Sequence, residues 1–173
     1  MSLQQRLAEA AMVSGDPTTK VGCIITRNGL VIAEGCNRLP RGVQKTAERL
    51  LRPAKYDWIV HAEPVALMHA LHRREDVSDA VMHLPCHPCC RCAGLIIESG
   101  IQQIQINDSY VPKRWRKSCE IAKEMFAEAG VHVIVCGRGE SPWPKPKRHL
   151  GWVVCVIALT IATVLIGVIA GLT

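Results

Sequence analysis

Three features of this 173-residue chain predict an α/β fold: a three-layer α/β/α sandwich around a mixed five-stranded sheet. Hydrophobic residues repeat alternately at helical and strand spacing from Leu3 to Val135. Asn28-Gly29 lies between two apolar runs, the strongest short-range signal for an antiparallel hairpin. The later strand-like runs are each separated by a helical one, as layered α/β domains require.

Taken in order, Leu3, Leu7, Ala10, Ala11 and Val13 recur at helical spacing, and Ser14-Gly15-Asp16-Pro17 stops that first helix. Val21 to Ile25 and Leu30 to Ala33 are the hairpin strands. From Asn37 to Asp57 the periodicity vanishes, and Pro40, Gly42 and Pro53 with many basic residues predict a long ordered loop of functional kind. A second helix is expected from about Ala62 to Arg73, which puts His61 at its N-terminus. Val81 to Leu84 reads as a strand, and Cys89 to Glu98 as a helix with Leu95, Ile96 and Ile97 on its apolar face, closed by Gly100. Ile101 to Ile106 is the fourth strand, Trp115 to Ala129 an amphipathic helix, and Val131 to Val135 the fifth strand.

The expected organisation is a domain over 1–136, a proline- and glycine-rich basic linker over 137–149, and a membrane segment over 150–173. The run from Leu150 to Thr173 holds no charge and exceeds the roughly 20 apolar residues that a membrane-crossing helix needs. It reads as a transmembrane tail anchor: Lys145, Lys147 and Arg148 keep the preceding domain on the cytoplasmic side, Trp143 and Trp152 bracket the entry, and Gly167 and Gly171 form a G-x-x-x-G pair. The N-terminus shows no apolar core of a signal peptide. Four of the nine cysteines crowd between Cys86 and Cys92, a spacing for metal and not for stapling a fold, and they point to a reducing compartment. Net charge is a modest +6 and aromatic residues make up only 4% of the chain, which leaves no stacking platform for single-stranded bases, so no nucleic-acid partner is expected.

The chemistry lies in His61-Ala62-Glu63 and Pro88-Cys89-Cys90-Arg91-Cys92. One imidazole and two thiolates are ligands of the kind zinc accepts, with a fourth tetrahedral position left for water, so zinc is the predicted cofactor. Glu63, two residues past the histidine, is placed to carry protons beside the metal without ligating it. Pro85-Cys86-His87-Pro88-Cys89 is an overlapping Pro-Cys-x-x-Cys, so the ligand pair is either Cys86 and Cys89 or Cys89 and Cys92. Helix phase favours the second, because the apolar run Ala93-Gly94-Leu95-Ile96-Ile97 abuts Cys92. Cys90, turned about 100° round the helix, faces away from the same ion.

These residues resemble the cytidine and deoxycytidylate deaminase superfamily over about residues 1 to 136, and most closely its deoxycytidylate branch. His-x-Glu followed by Pro-Cys-x-x-Cys is the signature of zinc-dependent nucleobase deaminases. Asp16-Pro17-Thr18-Thr19-Lys20-Val21-Gly22, Gly35-Cys36-Asn37, Pro40-Arg41-Gly42, Glu48-Arg49 and Lys55-Tyr56 before Val60-His61 follow the family's order. The resemblance implies a cytidine-deaminase-like sandwich, zinc held by His61, Cys89 and Cys92, Glu63 as proton shuttle, and Asn37 in contact with the nucleotide. The chain departs from the family in having Val65 where an asparagine is usual, and Pro64 before it.

The reaction implied is hydrolytic deamination of a cytosine nucleotide, dCMP to dUMP with release of ammonia, by a homo-oligomeric enzyme. Arg38, Arg41, Lys45, Arg49, Arg52 and Lys55 of the long loop are candidates for a 5′-phosphate, with Arg41 and Arg49 foremost; Lys113, Arg114, Arg116 and Lys117 start a helix and read as exposed. Two alternatives remain open at this level. One is a tRNA-type adenosine deaminase, which shares the zinc motif. The other is a membrane-tethered, inactive zinc-binding module, which Val65 favours and an intact Glu63 opposes.

Overall fold

The computed structural model of the chain describes residues 2–107 and 111–136. Helix α1 (Leu3–Met12) opens it, capped by Ser2, whose side chain accepts from Gln5 N while the Gln5 side chain returns to the Ser2 backbone. Strands β1 (Gly22–Arg27) and β2 (Leu30–Cys36) follow as an antiparallel hairpin. Asn28 and Gly29 both have positive φ, 52° and 77°, the pairing that a two-residue hairpin turn needs.

The expected loop from 37 to 57 contains two single-turn helices, α2 (Ala47–Leu50) and α3 (Lys55–Trp58), too short to leave a hydrophobic period in the sequence. Helix α4 (Ala62–His72) leads to β3 (Val81–Leu84), then α5 (Cys90–Glu98), β4 (Gln103–Ile106), α6 (Arg116–Ala129) and β5 (His132–Val135). A 3₁₀ turn at Lys113–Trp115 leads into α6.

The sheet order is β2-β1-β3-β4-β5, with β1 antiparallel to both neighbours and β3, β4 and β5 parallel. The parallel pairs are joined through α5 and α6, and right-handed crossovers advancing in one direction put both helices on one face. That face is the core: Cys23, Ile25, Met82, Leu84, Ile104 and Ile106 of the strands meet Ala62, Ala66, Ala93, Ile96 and Phe126 of α4, α5 and α6. Side chains alternate along a strand, so Gly22 points the other way, against α1.

Two glycines set the helices close. A Cβ on Gly35 would run into the Ala66 backbone nitrogen and stand 2.7 Å from Ala62 O, so only glycine lets β2 lie directly under the first turns of α4. A Cβ on Gly22 would meet the Leu7 carbonyl and Ala11 N in the same way under α1. The first of these contacts fixes the height of His61 and Glu63 above the sheet.

The sequence reading needs one correction here. The expected transmembrane helix and the single-pass membrane placement that rests on it have no counterpart: among the described residues, no helix is long and apolar enough to cross a membrane. The longest, α6, has 14 residues where roughly 20 are needed, and its exposed side is charged. The linker over 137–149, Trp143, Trp152, the Gly167/Gly171 pair and the run 150–173 lie outside the described residues. Over the described residues the fold is a mixed five-stranded α/β sheet clad with helices.

Candidate active site

Where β3 and β4 end, β2 ends and β1 begins, the helices and loops leave a cleft of about 170 Å³. Ligand sites in open α/β sheets form in this way, at the carboxyl ends of parallel strands. The chain after β3 turns straight into Cys89 and α5, and the N-terminus of α4 comes in from the side of β2. His61 and Cys89 are the N-cap residues of α4 and α5, in extended conformation with ψ of 164° and 166°, so both side chains project from helix starts into one space.

On this wall the His61, Cys89 and Cys92 ligand atoms all lie within 4.8 Å of one another. His61 Nδ1 is 3.6 Å from Cys89 Sγ and 3.5 Å from Cys92 Sγ. Bonds of about 2.0–2.1 Å from zinc to nitrogen and about 2.3 Å to sulfur, meeting near the tetrahedral angle, separate nitrogen from sulfur by about 3.5 Å. The spacing therefore fits a shared zinc ion at least as well as direct hydrogen bonds, and the donor set of one imidazole and two thiols is zinc's own. Cys90 is turned aside: its backbone N donates to Ser118 Oγ at 3.0 Å, and the Ser118 hydroxyl donates to its sulfur at 3.2 Å. Cys86 lines the cleft but is not in the cluster.

The electrostatics suit a cation. A hydrogen bond from Cys92, and then one from His61, pulls Cys89 down to about 4 against the effect of burial. Cys92 is pushed up by its hydrogen bond to Cys89, by burial and by Glu63. Cys89 chiefly holds the His61 pKa up. Glu63 is only 6% exposed, and burial raises its pKa despite the nearby His61. Such a carboxylate is a stronger base than that of an ordinary glutamate, so it takes up a proton more readily.

The opposite wall is a closed polar cluster. Lys55, 4% exposed, donates through Nζ to Asp16 Oδ2 and to Thr18 Oγ1, both at 2.6 Å. Burial acts to raise the Asp16 pKa, but Lys55 and the backbone N–H groups of Thr18 and Thr19 outweigh it and hold the carboxyl below its ordinary value. Asn37 lines the cleft, yet its amide is spent on the chain. Nδ2 donates to Thr19 O at 2.8 Å and to Asp16 Oδ2 at 3.4 Å, and Oδ1 accepts from Val21 N and Ser14 Oγ, each at 2.8 Å.

Arg41 and Arg49 are elsewhere. Arg41 reaches the His69 ring at 3.2 Å in a separate groove, which Val65 also lines, and Arg49 lies 4.2 Å over the Trp58 ring and donates to Gln44 O. Sequence reasoning did not single out Trp115, whose ring stands edge-on to His61 with centroids 5.7 Å apart, nor the engaged Lys55 as a wall residue. A tryptophan just before an amphipathic helix carried the only hint of the first, and Lys55-Tyr56 ahead of His61 that of the second.

An α/β sheet with a histidine, two cysteines and a buried glutamate converging at its carboxyl edge defines a zinc-dependent deaminase. Residues 1–107 match the family model described as the cytidine and deoxycytidylate deaminase zinc-binding region, and the chain belongs to that family as a zinc-dependent nucleotide deaminase. It is 34% identical over 127 residues to an Aliivibrio fischeri protein described as an uncharacterized deaminase in the luxG 3′ region, covering 69% of this chain and 81% of that one. It is also 34% identical over 132 residues to deoxycytidylate deaminase of Homo sapiens, covering 70% of each. Among solved structures, apo dCMP deaminase from the cyanophage S-TIM5 shares the fold, with a TM-score of 0.60 at 20% identity over 78% of this chain and 99% of that one.

Proposed function

We propose that this chain deaminates deoxycytidylate hydrolytically, taking dCMP and water to dUMP and ammonia. The observation that carries the proposal is the Glu63 carboxyl, buried in the cleft beside three convergent zinc-ligand atoms. The names of the Homo sapiens and Mus musculus relatives support the choice of nucleotide.

His61, Cys89 and Cys92 would hold the zinc, which when bound supplies Lewis-acid activation of water at neutral pH. Glu63 does the proton work. It takes a proton from the attacking water and passes it to ring N3 as C4 is attacked; it then takes the second proton from the hydroxyl now on C4 and delivers it to the exocyclic amine as the C4–N bond breaks, the C4 carbonyl forms and ammonia leaves. Its raised pKa favours the first of these, uptake of the proton from water. Tyr56, Ile59, Val111 and Trp115 give the cleft apolar sides that shield these transfers from bulk water. Asn37 and Asp16 shape the facing wall, their polar atoms being taken by the chain itself.

The test is ammonia release by the zinc-loaded full chain from dCMP, CMP, deoxycytidine, cytidine and adenosine. The expected result is dCMP turnover with the highest kcat/KM of the panel. Turnover of adenosine alone, or of nothing in the panel, overturns the proposal.

A further inference from the structure

A nucleoside monophosphate adds a doubly charged phosphate to the base and sugar, and a cleft that prefers it needs a cation free to meet that charge. The long loop supplies six basic residues, yet only Lys55 lines the cleft, and its ammonium is already buried against Asp16 at 2.6 Å. Arg41 and Arg49 are held in other places by His69 and Trp58. The stretch before α6 supplies four more, Lys113, Arg114, Arg116 and Lys117, and of these Arg114 alone lines the cleft. Arg114 is exposed and makes no hydrogen bond or ion pair among the described residues. Both carboxylates lining the cleft are committed, Asp16 to Lys55 and Glu63 beside His61.

The structure assigns the 5′-phosphate to Arg114, and we infer that this residue makes the cleft prefer a nucleoside monophosphate to the nucleoside; the inference rests on the deamination reading above. Arginine's planar fork offers two parallel N–H donors to a phosphate, while an exposed position lets the hydrated phosphate stay at the mouth as the base goes inward. Trp115, next in sequence, is fixed edge-on to His61 and to Tyr56, so the turn carrying Arg114 is anchored to the zinc-ligand wall.

The zinc-loaded full chain and its Arg114→Gln, Arg114→Lys and Lys113→Gln variants are compared in two ways: the ratio of kcat/KM for dCMP to that for deoxycytidine, and calorimetric affinities for dUMP and deoxyuridine. Loss of a hydrogen-bonded charge contact predicts that R114Q lowers both the kinetic ratio and the dUMP-to-deoxyuridine preference by about 10- to 100-fold, mostly through KM. R114K recovers part of the loss, and K113Q leaves both ratios unchanged. Ratios unaltered in R114Q, or lowered as much by K113Q, overturn the assignment. Should the parent deaminate no cytosine nucleotide, the deamination reading fails by itself; dUMP binding that weakens in R114Q then still supports the phosphate site, and binding indifferent to Arg114 refutes it.

Discussion

The cleft has two polar walls, and they differ in how their charges are met. Around Asp16, each buried acceptor faces a donor of the chain: the carboxylate takes Lys55, Asn37 Nδ2 and three groups of Thr18 and Thr19, and the Asn37 amide is bonded at both ends. Around His61 the side chains are of one kind. A ring nitrogen, two sulfurs and a carboxylate converge, and none of the ion pairs among the described residues involves Glu63. Burying like groups together is costly unless something positive is supplied from outside. A wall that closes on itself is scaffold, whereas a wall that converges without balance is where metal and substrate belong.

The sharpest way to break that distinction is Glu63→Gln. Shape and zinc content should hold while turnover falls by about 10²–10⁴-fold or more, since one carboxylate serves several proton transfers. Single-turnover rates and metal analysis of the purified variant decide it, and near-parental rates would remove Glu63 from the mechanism. Next come the ligands: Cys89→Ser and Cys92→Ser should each lose stoichiometric zinc, while Cys86→Ser and Cys90→Ser retain it. Loss from C86S with retention in C92S would shift the site to the overlapping motif.

The closed wall should answer in stability. Asp16→Asn strands the Lys55 ammonium, and breaking a buried pair in this way costs about 3–5 kcal/mol in denaturant unfolding. The pH dependence has a definite sign. The Asp16 pKa is lowered on folding, so its contribution is present above the unfolded value of 3.8 and is lost as pH falls through the lower folded value. The parent should lose stability across that acid window, and D16N should show a shallower slope there. A D16N slope equal to the parent's would mean that the pair does not couple to folding.

The smallest effect is expected at Val65. It is 5% exposed and lines the groove with Pro64, Met68 and His69, away from the zinc-ligand wall, so Val65→Asn should change kcat for dCMP by no more than a few fold. A large gain would show that the departure from the family pattern had weakened the chemistry.

Much of the zinc-ligand wall could be read from the sequence because its information is local. His61 and Glu63 sit two apart at a helix start, Cys89 and Cys92 three apart at another, and helical periodicity locates both starts. The closed wall was much less legible. Asp16 and Lys55 are 39 residues apart, and Asn37 reads equally well as a nucleotide contact until its four partners are seen. The two short helices of the long loop escaped notice because a single turn leaves no period.

By itself, the sequence determined the family's motifs, the grouping of His61, Glu63, Cys89 and Cys92, and the alternation of strands and helices, since each depends on residue types at short spacing. Only the tertiary structure decided which of the many cations faces the cleft. The sequence puts Arg41 and Arg49 foremost among the loop's cations and reads Arg114 as an exposed charge at a helix start; packing gives Arg41 to His69, lays Arg49 on Trp58, buries Lys55 against Asp16 and leaves Arg114 at the mouth. The physical reason is that a charge's role is set by the partners within a few ångströms of it, and those partners come from segments that the chain order keeps far apart.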